Sequence, residues 1–185
     1  MSTADSLDRF IARYLRAVTP PPATFDPEWR SPCEERAPFV AGDGERRIAW
    51  RPVRHESSMR DLFSGLERAL ELELHADIKT YYGRWWSAHI DARAPDGPVS
   101  LILLWNMDDA EQLMENLIGH ALAKRRQRAP FTAFFANTDT DSDYFLSVDN
   151  ATGQVLLDQP GRPPLRVVAD SLASFLDSLE PPTAP

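Results

Sequence analysis

Apolar residues fall at helical spacing over the first 18 positions. Leu7, Phe10, Ile11, Tyr14, Leu15 and Val18 form one stripe, with Arg9, Arg13 and Arg16 on the other side. This pattern predicts an amphipathic helix with its stripe against a core. The run TPPPA at 19–23 stops it, because proline lacks the amide and blocks the preceding turn. Residues 20–47 have no clear periodicity and are rich in proline and charge, so a long surface arm is expected there. A short strand is expected at 48–51. A second helix is expected from Ser58, capped by the Ser58/Asp61 pair, with Leu62, Phe63, Leu66, Ala69 and Leu70 inward. Glu67 and Glu71 sit one turn apart on its exposed face. Leu70, Leu72 and Leu74 then alternate, which predicts extended chain. A helical turn over 77–82 ends at Gly83, read as a left-handed cap.

Alternation takes over at 85–92. Turn chemistry follows in APDGP (94–98), and the apolar run VSLILLW (99–105) makes a central strand, so a hairpin is predicted. Asn106 caps a third helix with Asp108 and Asp109 in its first turn. Strands are expected at 131–138 and 144–150 around an acidic turn, and two more in QVLLD and LRVVA. Asp170 or Ser171 caps a last helix with Leu172, Phe175, Leu176 and Leu179 inward. No internal repeat and no regular βαβ alternation is present. The expected fold is α+β: a single domain over 1–185 with a mixed, mostly antiparallel sheet flanked by helices, and a frayed tail at 181–185.

Composition narrows the function classes. The chain has 185 residues, 43% hydrophobic and 26% charged, enough for one core. No run reaches the roughly 20 apolar residues of a membrane span. The start lacks signal-peptide features and Cys33 is the one cysteine, which together favour the cytoplasm. The net charge of −8 argues against a nucleic-acid partner and against direct adsorption to anionic lipid. It suits a basic protein partner. Residues 56–115 carry 12 acidic and 5 basic groups, whereas residues 116–130 carry 4 basic and no acidic ones.

The third helix poses the sharpest chemical question. Asn116 and His120 share one flank of its apolar face, and Gly119 lies with Ala123 on the far side. A mid-helix glycine costs about 1 kcal/mol of propensity, so close approach of another backbone, such as the arm, is expected there. Asn116, Gly119 and His120 are therefore read as a structural motif. The basic end KRRQR at 124–128 complements the helix dipole, with a phosphate or lipid headgroup contact as the functional alternative. The four histidines are scattered with no HxxxH pair, so no metal site is expected. Nucleotide and hydrolase loops are absent from the sequence, and no cofactor is implied. Cys33, between Arg30 and Arg36 but beside Glu34 and Glu35, offers a nucleophile only on paper, and an enzyme using Cys33 or His120 is the weakest alternative.

ENLIGH (115–120), the preceding WNMDD (105–109), the basic helix end and PFTAFFANT (130–138) resemble the SecY-interacting protein Syd family. SPC in the arm, RIAWRP (47–52), IKTYYG (78–83) and the closing SLASFLDSLEP are similar to it in the same order, so the likeness spans roughly residues 10–181. The resemblance implies a Smi1/Knr4-like α+β fold and a non-enzymatic bacterial protein. It also implies peripheral attachment to the cytoplasmic side of the inner membrane by binding SecY, the translocon channel, through a concave acidic groove. The soluble fraction would be cytoplasmic, and the purpose monitoring of translocon assembly. Basic cytoplasmic loops fit such a groove in sign. The candidate carboxylates are Glu67, Glu71 and Asp77 of the most acidic region, Asp91, Asp108 and Asp109 about the strand-to-helix turn, and Asp139, Asp141 and Asp143 of the acidic loop. The alternative within the wider superfamily is an immunity-type protein that binds and neutralises a toxin.

Overall fold

The computed structural model describes residues 1–56, 60–139 and 143–182. Five α-helices are present among them: α1 (Thr3–Ala17), α2 (Ser64–Leu70), which a 3-10 turn (Arg60–Phe63) precedes, α3 (Ala76–Tyr82), α4 (Met107–Arg126) and α5 (Leu172–Ser178). Six strands make the main sheet: β6 (Ile90–Ala94), β7 (Gly97–Leu101), β8 (Thr132–Asn137), β9 (Phe145–Asp149), β10 (Val155–Asp158) and β11 (Arg166–Ala169). They run β11-β10-β9-β8-β7-β6, each neighbour antiparallel, so the sheet is a meander interrupted once by α4. The α+β expectation holds.

Side-chain alternation divides the sheet into two faces. Phe135 meets Phe175 of α5 and Tyr81 of α3 edge-on, at 5.5 and 5.6 Å between ring centroids. Phe134 and Phe145 point the other way, to His120 of α4. Helices α1, α3 and α5 thus serve one face and α4 the other, with α2 packed on α4. Leu7, Phe10, Ile11 and Tyr14 of α1 are buried as the stripe requires. Leu172, Phe175, Leu176 and Leu179 are buried likewise, and Ser171 forms a capping box with Ser174.

The arm is more ordered than its sequence indicates. Residues β1 (Ala23–Thr24), β2 (Phe39–Val40) and β3 (Arg46–Ile48) pair as a small antiparallel sheet, β1-β3-β2. Tryptophans and polar side chains pin it down: Trp50 Nε1 donates to the Pro21 carbonyl at 2.8 Å, and Ser31 Oγ donates to the Trp105 carbonyl at 2.5 Å. Asn106, besides capping α4, donates from Nδ2 to the Arg30 carbonyl at 3.1 Å. Two-residue strands leave no readable periodicity, which is why the pattern missed them.

Other expectations need correction. The 85–92 strand is broken: β5 (Trp85–Trp86) pairs with β4 (Val53–Arg54), and β6 begins only at Ile90. The 99–105 run is a strand only as far as Leu101, and β7 lies next to the edge strand. Gly83 ends α3 with φ −89°, so it is no left-handed cap; that role falls to Glu71 at the end of α2, φ 52°. Ala69 is exposed. Ser58, the expected cap of the second helix, lies outside the described residues.

Candidate functional site

The sheet curls until its ends meet. Asp96, in the turn between β6 and β7, pairs at 2.7 Å with Arg166 of β11 at the opposite edge. Strand twist makes such curling natural in a six-stranded sheet. The concave face holds a depression of about 270 Å3. Val99, Leu146, Leu157 and Val168 line it from four strands, and Phe175 lines it from α5. A second depression, about 380 Å3, adjoins it and shares Pro98, Val99, Thr138 and Asp139. Asp91 of β6 and Asp139 beyond β8 line this one together. Its far wall is the chain end, where the Arg93 and Glu180 backbones exchange hydrogen bonds of 2.8 and 2.9 Å and Pro182 follows. The result is an apolar trough whose rim carries Asp91, Asp96 and Asp139 together with Arg93 and Arg166, which pair with Glu180 and Asp96.

Of the candidate carboxylates, the structure brings Asp91 and Asp139 into one depression. Others do structural work. Glu67 accepts from Lys79 Nζ and from the Leu74 amide, both at 2.9 Å, which fastens α2 to α3; the Lys79 bond first, then the amide, holds its carboxyl below the usual range. It is therefore not on an open face opposite Glu71. Asp77 accepts from Thr3 Oγ1 at 2.7 Å and so ties α3 to α1. Asp109 accepts from the Trp105 amide at 2.9 Å inside the first turn of α4. Glu71, Asp108 and Asp143 are exposed and do not line either depression. Asp141 lies outside the described residues. Asp96, which the sequence reading passed over as turn chemistry, belongs to the rim. Only the two-residue turn it occupies hinted at a tip position.

The α4 face carries a polar network that sequence reasoning missed. Lys124 does not join the exposed basic end. It turns inward, its side chain 4% exposed, and donates to both oxygens of Asp158 at 2.9 and 2.8 Å. Thr132 Oγ1 and Ser147 Oγ donate to the same carboxylate at 2.8 and 3.1 Å, and the Gln159 amide donates at 2.9 Å. Burial alone would raise the Asp158 pKa, but the Lys124 ammonium and these donors hold it below the usual range. Because the one Thr132 hydroxyl proton goes to Asp158, its oxygen accepts from His120 Nε2, 3.0 Å away. The network thereby assigns His120 the Nε2–H tautomer.

His120 is half-buried among Phe131, Phe134 and Phe145, ring centroids 6.3, 5.8 and 5.8 Å away. Burial first, then the Lys124 charge, lowers its pKa. The expected close approach at Gly119 is corrected: Gly119 is exposed, and a Cβ there would meet nothing within 4 Å. Asn116 is exposed too. Cys33 is buried, and burial pushes its thiol up to about 11, the opposite of an activated thiolate. Among the described residues no group of three or more His, Cys, Asp or Glu is placed to hold a metal ion. None of their helices is long and apolar enough to cross a membrane.

Comparison with known proteins agrees with this architecture. The family model for Syd protein (SUKH-2) matches residues 4–181. The chain is 42% identical over 182 residues to Protein Syd of Pseudoalteromonas atlantica, covering 96% of this chain and 95% of that one. It is 38% identical over 183 residues to Protein Syd of Alteromonas mediterranea, covering 98% and 97%. With Protein Syd of Hahella chejuensis the identity is 42% over 155 residues, 84% of this chain and 77% of that one. A match of that extent, together with an antiparallel α+β domain, identifies the chain as a member of the Syd family.

Proposed function

We propose that the protein is a non-enzymatic binding module that docks on the basic cytoplasmic loops of SecY through the concave face of its sheet. The observation that carries this reading is the shared depression of Asp91 and Asp139, with Asp96 on the adjoining rim. A carboxylate rim over an apolar trough suits a segment that alternates Lys or Arg with apolar residues. The charges steer and orient the encounter, and the trough supplies the desolvated contact. Attachment to the inner membrane would then be peripheral, through the protein partner. The net charge of −8 supports this, since an acidic surface gains nothing from an anionic leaflet.

The test is co-sedimentation of the protein with inner-membrane vesicles, with and without excess SecY, across a salt series. Binding should rise with SecY and fall steeply towards about 0.5 M salt, where screening acts over a few Å. The double variant Asp91→Lys/Asp139→Lys should lose it at low salt. Sedimentation indifferent to SecY removes the named partner.

A further inference from the structure

On the α4 side of the sheet a separate cavity of about 320 Å3 opens between the end of α4 and strands β8 and β9. His120, Ala123, Lys124 and Gln127 line it from the helix, at spacings that put them on one face. Phe134 and Phe145 face them from the sheet, and the loop at 159–161 closes one end. The volume lies within the range of pockets that hold a small ligand or an anchoring side chain.

Two features define the occupant. The first is an oriented acceptor. Lys124, Asp158 and Thr132 fix the proton of His120 on Nε2, so Nδ1 carries the lone pair. Among the described residues no partner stands against Nδ1. An aromatic side chain with its own N–H or O–H answers this acceptor, and it can meet Phe134 and Phe145 in the offset or edge-on arrangements aromatic rings favour. The second feature is charge. Arg126, Arg128 and Arg162, chain neighbours of the lining residues Gln127 and Gly161, are exposed and form no ion pair among the described residues. Three full charges outweigh the roughly half negative charge of a helix C-terminus. In an acidic protein this end is locally basic.

We propose that this cavity is a second docking site, for an acidic segment of a protein partner anchored by one tryptophan or tyrosine. The anchor fills the cavity and donates to His120 Nδ1, and flanking carboxylates meet the arginines. This goes beyond the SecY reading, which needs a basic partner on the other face of the sheet.

The test uses the full chain and a fluorescein-labelled peptide EEWEE, followed by anisotropy and by amide chemical shifts. EEWEE should bind at least about 10-fold more tightly than EEAEE or KKWKK, the scale of one well-seated anchor. Shifts should centre on His120 and Ala123. Ala123→Trp fills the cavity from an exposed position outside the polar network, so it should abolish the preference for EEWEE while leaving thermal unfolding unchanged. Arg126→Glu/Arg128→Glu should weaken EEWEE and flatten its salt dependence. The proposal is overturned if EEWEE binds no better than EEAEE, or if Ala123→Trp leaves its binding intact. It is also overturned if free indole occupies the cavity and EEWEE gains nothing over it, which would make this a small-molecule site. None of these readouts involves SecY, so the two docking readings fail separately.

Discussion

The two faces of the main sheet handle charge in opposite ways. On the α4 face, Lys124 and Asp158 are withdrawn from water and every donor around the carboxylate is matched. On the concave face, Asp91, Asp96 and Asp139 stand about a trough whose floor is apolar. Withdrawal makes the first set expensive to disturb, and it can bear on recognition only through His120, which it orients. The second set is exposed, and its Asp96–Arg166 pair lies at the surface, where a basic partner can compete for the carboxylate. Burial thus separates charges that hold the fold from charges that a partner could reach.

The largest expected effect lies in the network. Lys124→Met leaves a buried carboxylate uncompensated and should cost about 3–5 kcal/mol in urea unfolding, whereas Lys124→Met/Asp158→Leu should recover most of it. A loss below about 1 kcal/mol in the single variant would mean that the pair is solvated after all. On the concave face, Asp91→Lys/Asp139→Lys should stay within about 0.5 kcal/mol of the parent in stability. Its SecY-dependent sedimentation at low salt should nevertheless fall. A variant that unfolds early instead would assign those carboxylates to the fold.

Acidification should weaken the fold in part through the α4 face. His120 and His55 are both held below the ordinary imidazole value of 6.5, first by burial. The unfolded chain then takes up protons before the folded one, so stability is lost as pH falls through about 6.5 and returns above it. Urea midpoints should drop between about pH 7.5 and pH 5.5, and drop less in His120→Gln. Equal drops would remove His120 from the titration. The smallest effect belongs to Gly119→Ala. With open space at the Cβ position, it should stabilise α4 by about 0.5–1 kcal/mol and raise Tm by a few degrees.

That last residue illustrates where sequence reading reached its limit. Periodicity located α1, α4, α5 and the hairpins, because 3.6- and 2-residue repeats survive in any context. It also named the α4 cap at Asn106. It assigned Gly119 a neighbour that does not exist and left Lys124 among solvated bases. Helix phase alone puts Lys124 on the His120 flank. What draws it inward is Asp158, 34 residues later and on β10, and pairing across a sheet leaves no local mark. The same holds for the acidic rim. Asp91, Asp96 and Asp139 come from the β6–β7 hairpin and from beyond β8, and the β6-β7-β8 register, fixed over a long stretch of chain, makes them neighbours. Glu67 and Asp77, equally acidic in sequence, are consumed by helix-to-helix bonds.

The Arg93–Glu180 backbone exchange has a practical side. It fixes the chain so that Pro182 forms part of the wall beside Asp91. Anything fused at this end of the chain is tethered within a few residues of the acidic trough. A polyhistidine tag there would place a row of imidazoles within reach of the carboxylates, where it could imitate or obstruct a basic partner. At the start of α1, Thr3 bonds Asp77 of α3, neither residue lines the trough, and Ser2 is exposed. Purification handles and fluorophores for binding work therefore belong ahead of Ser2.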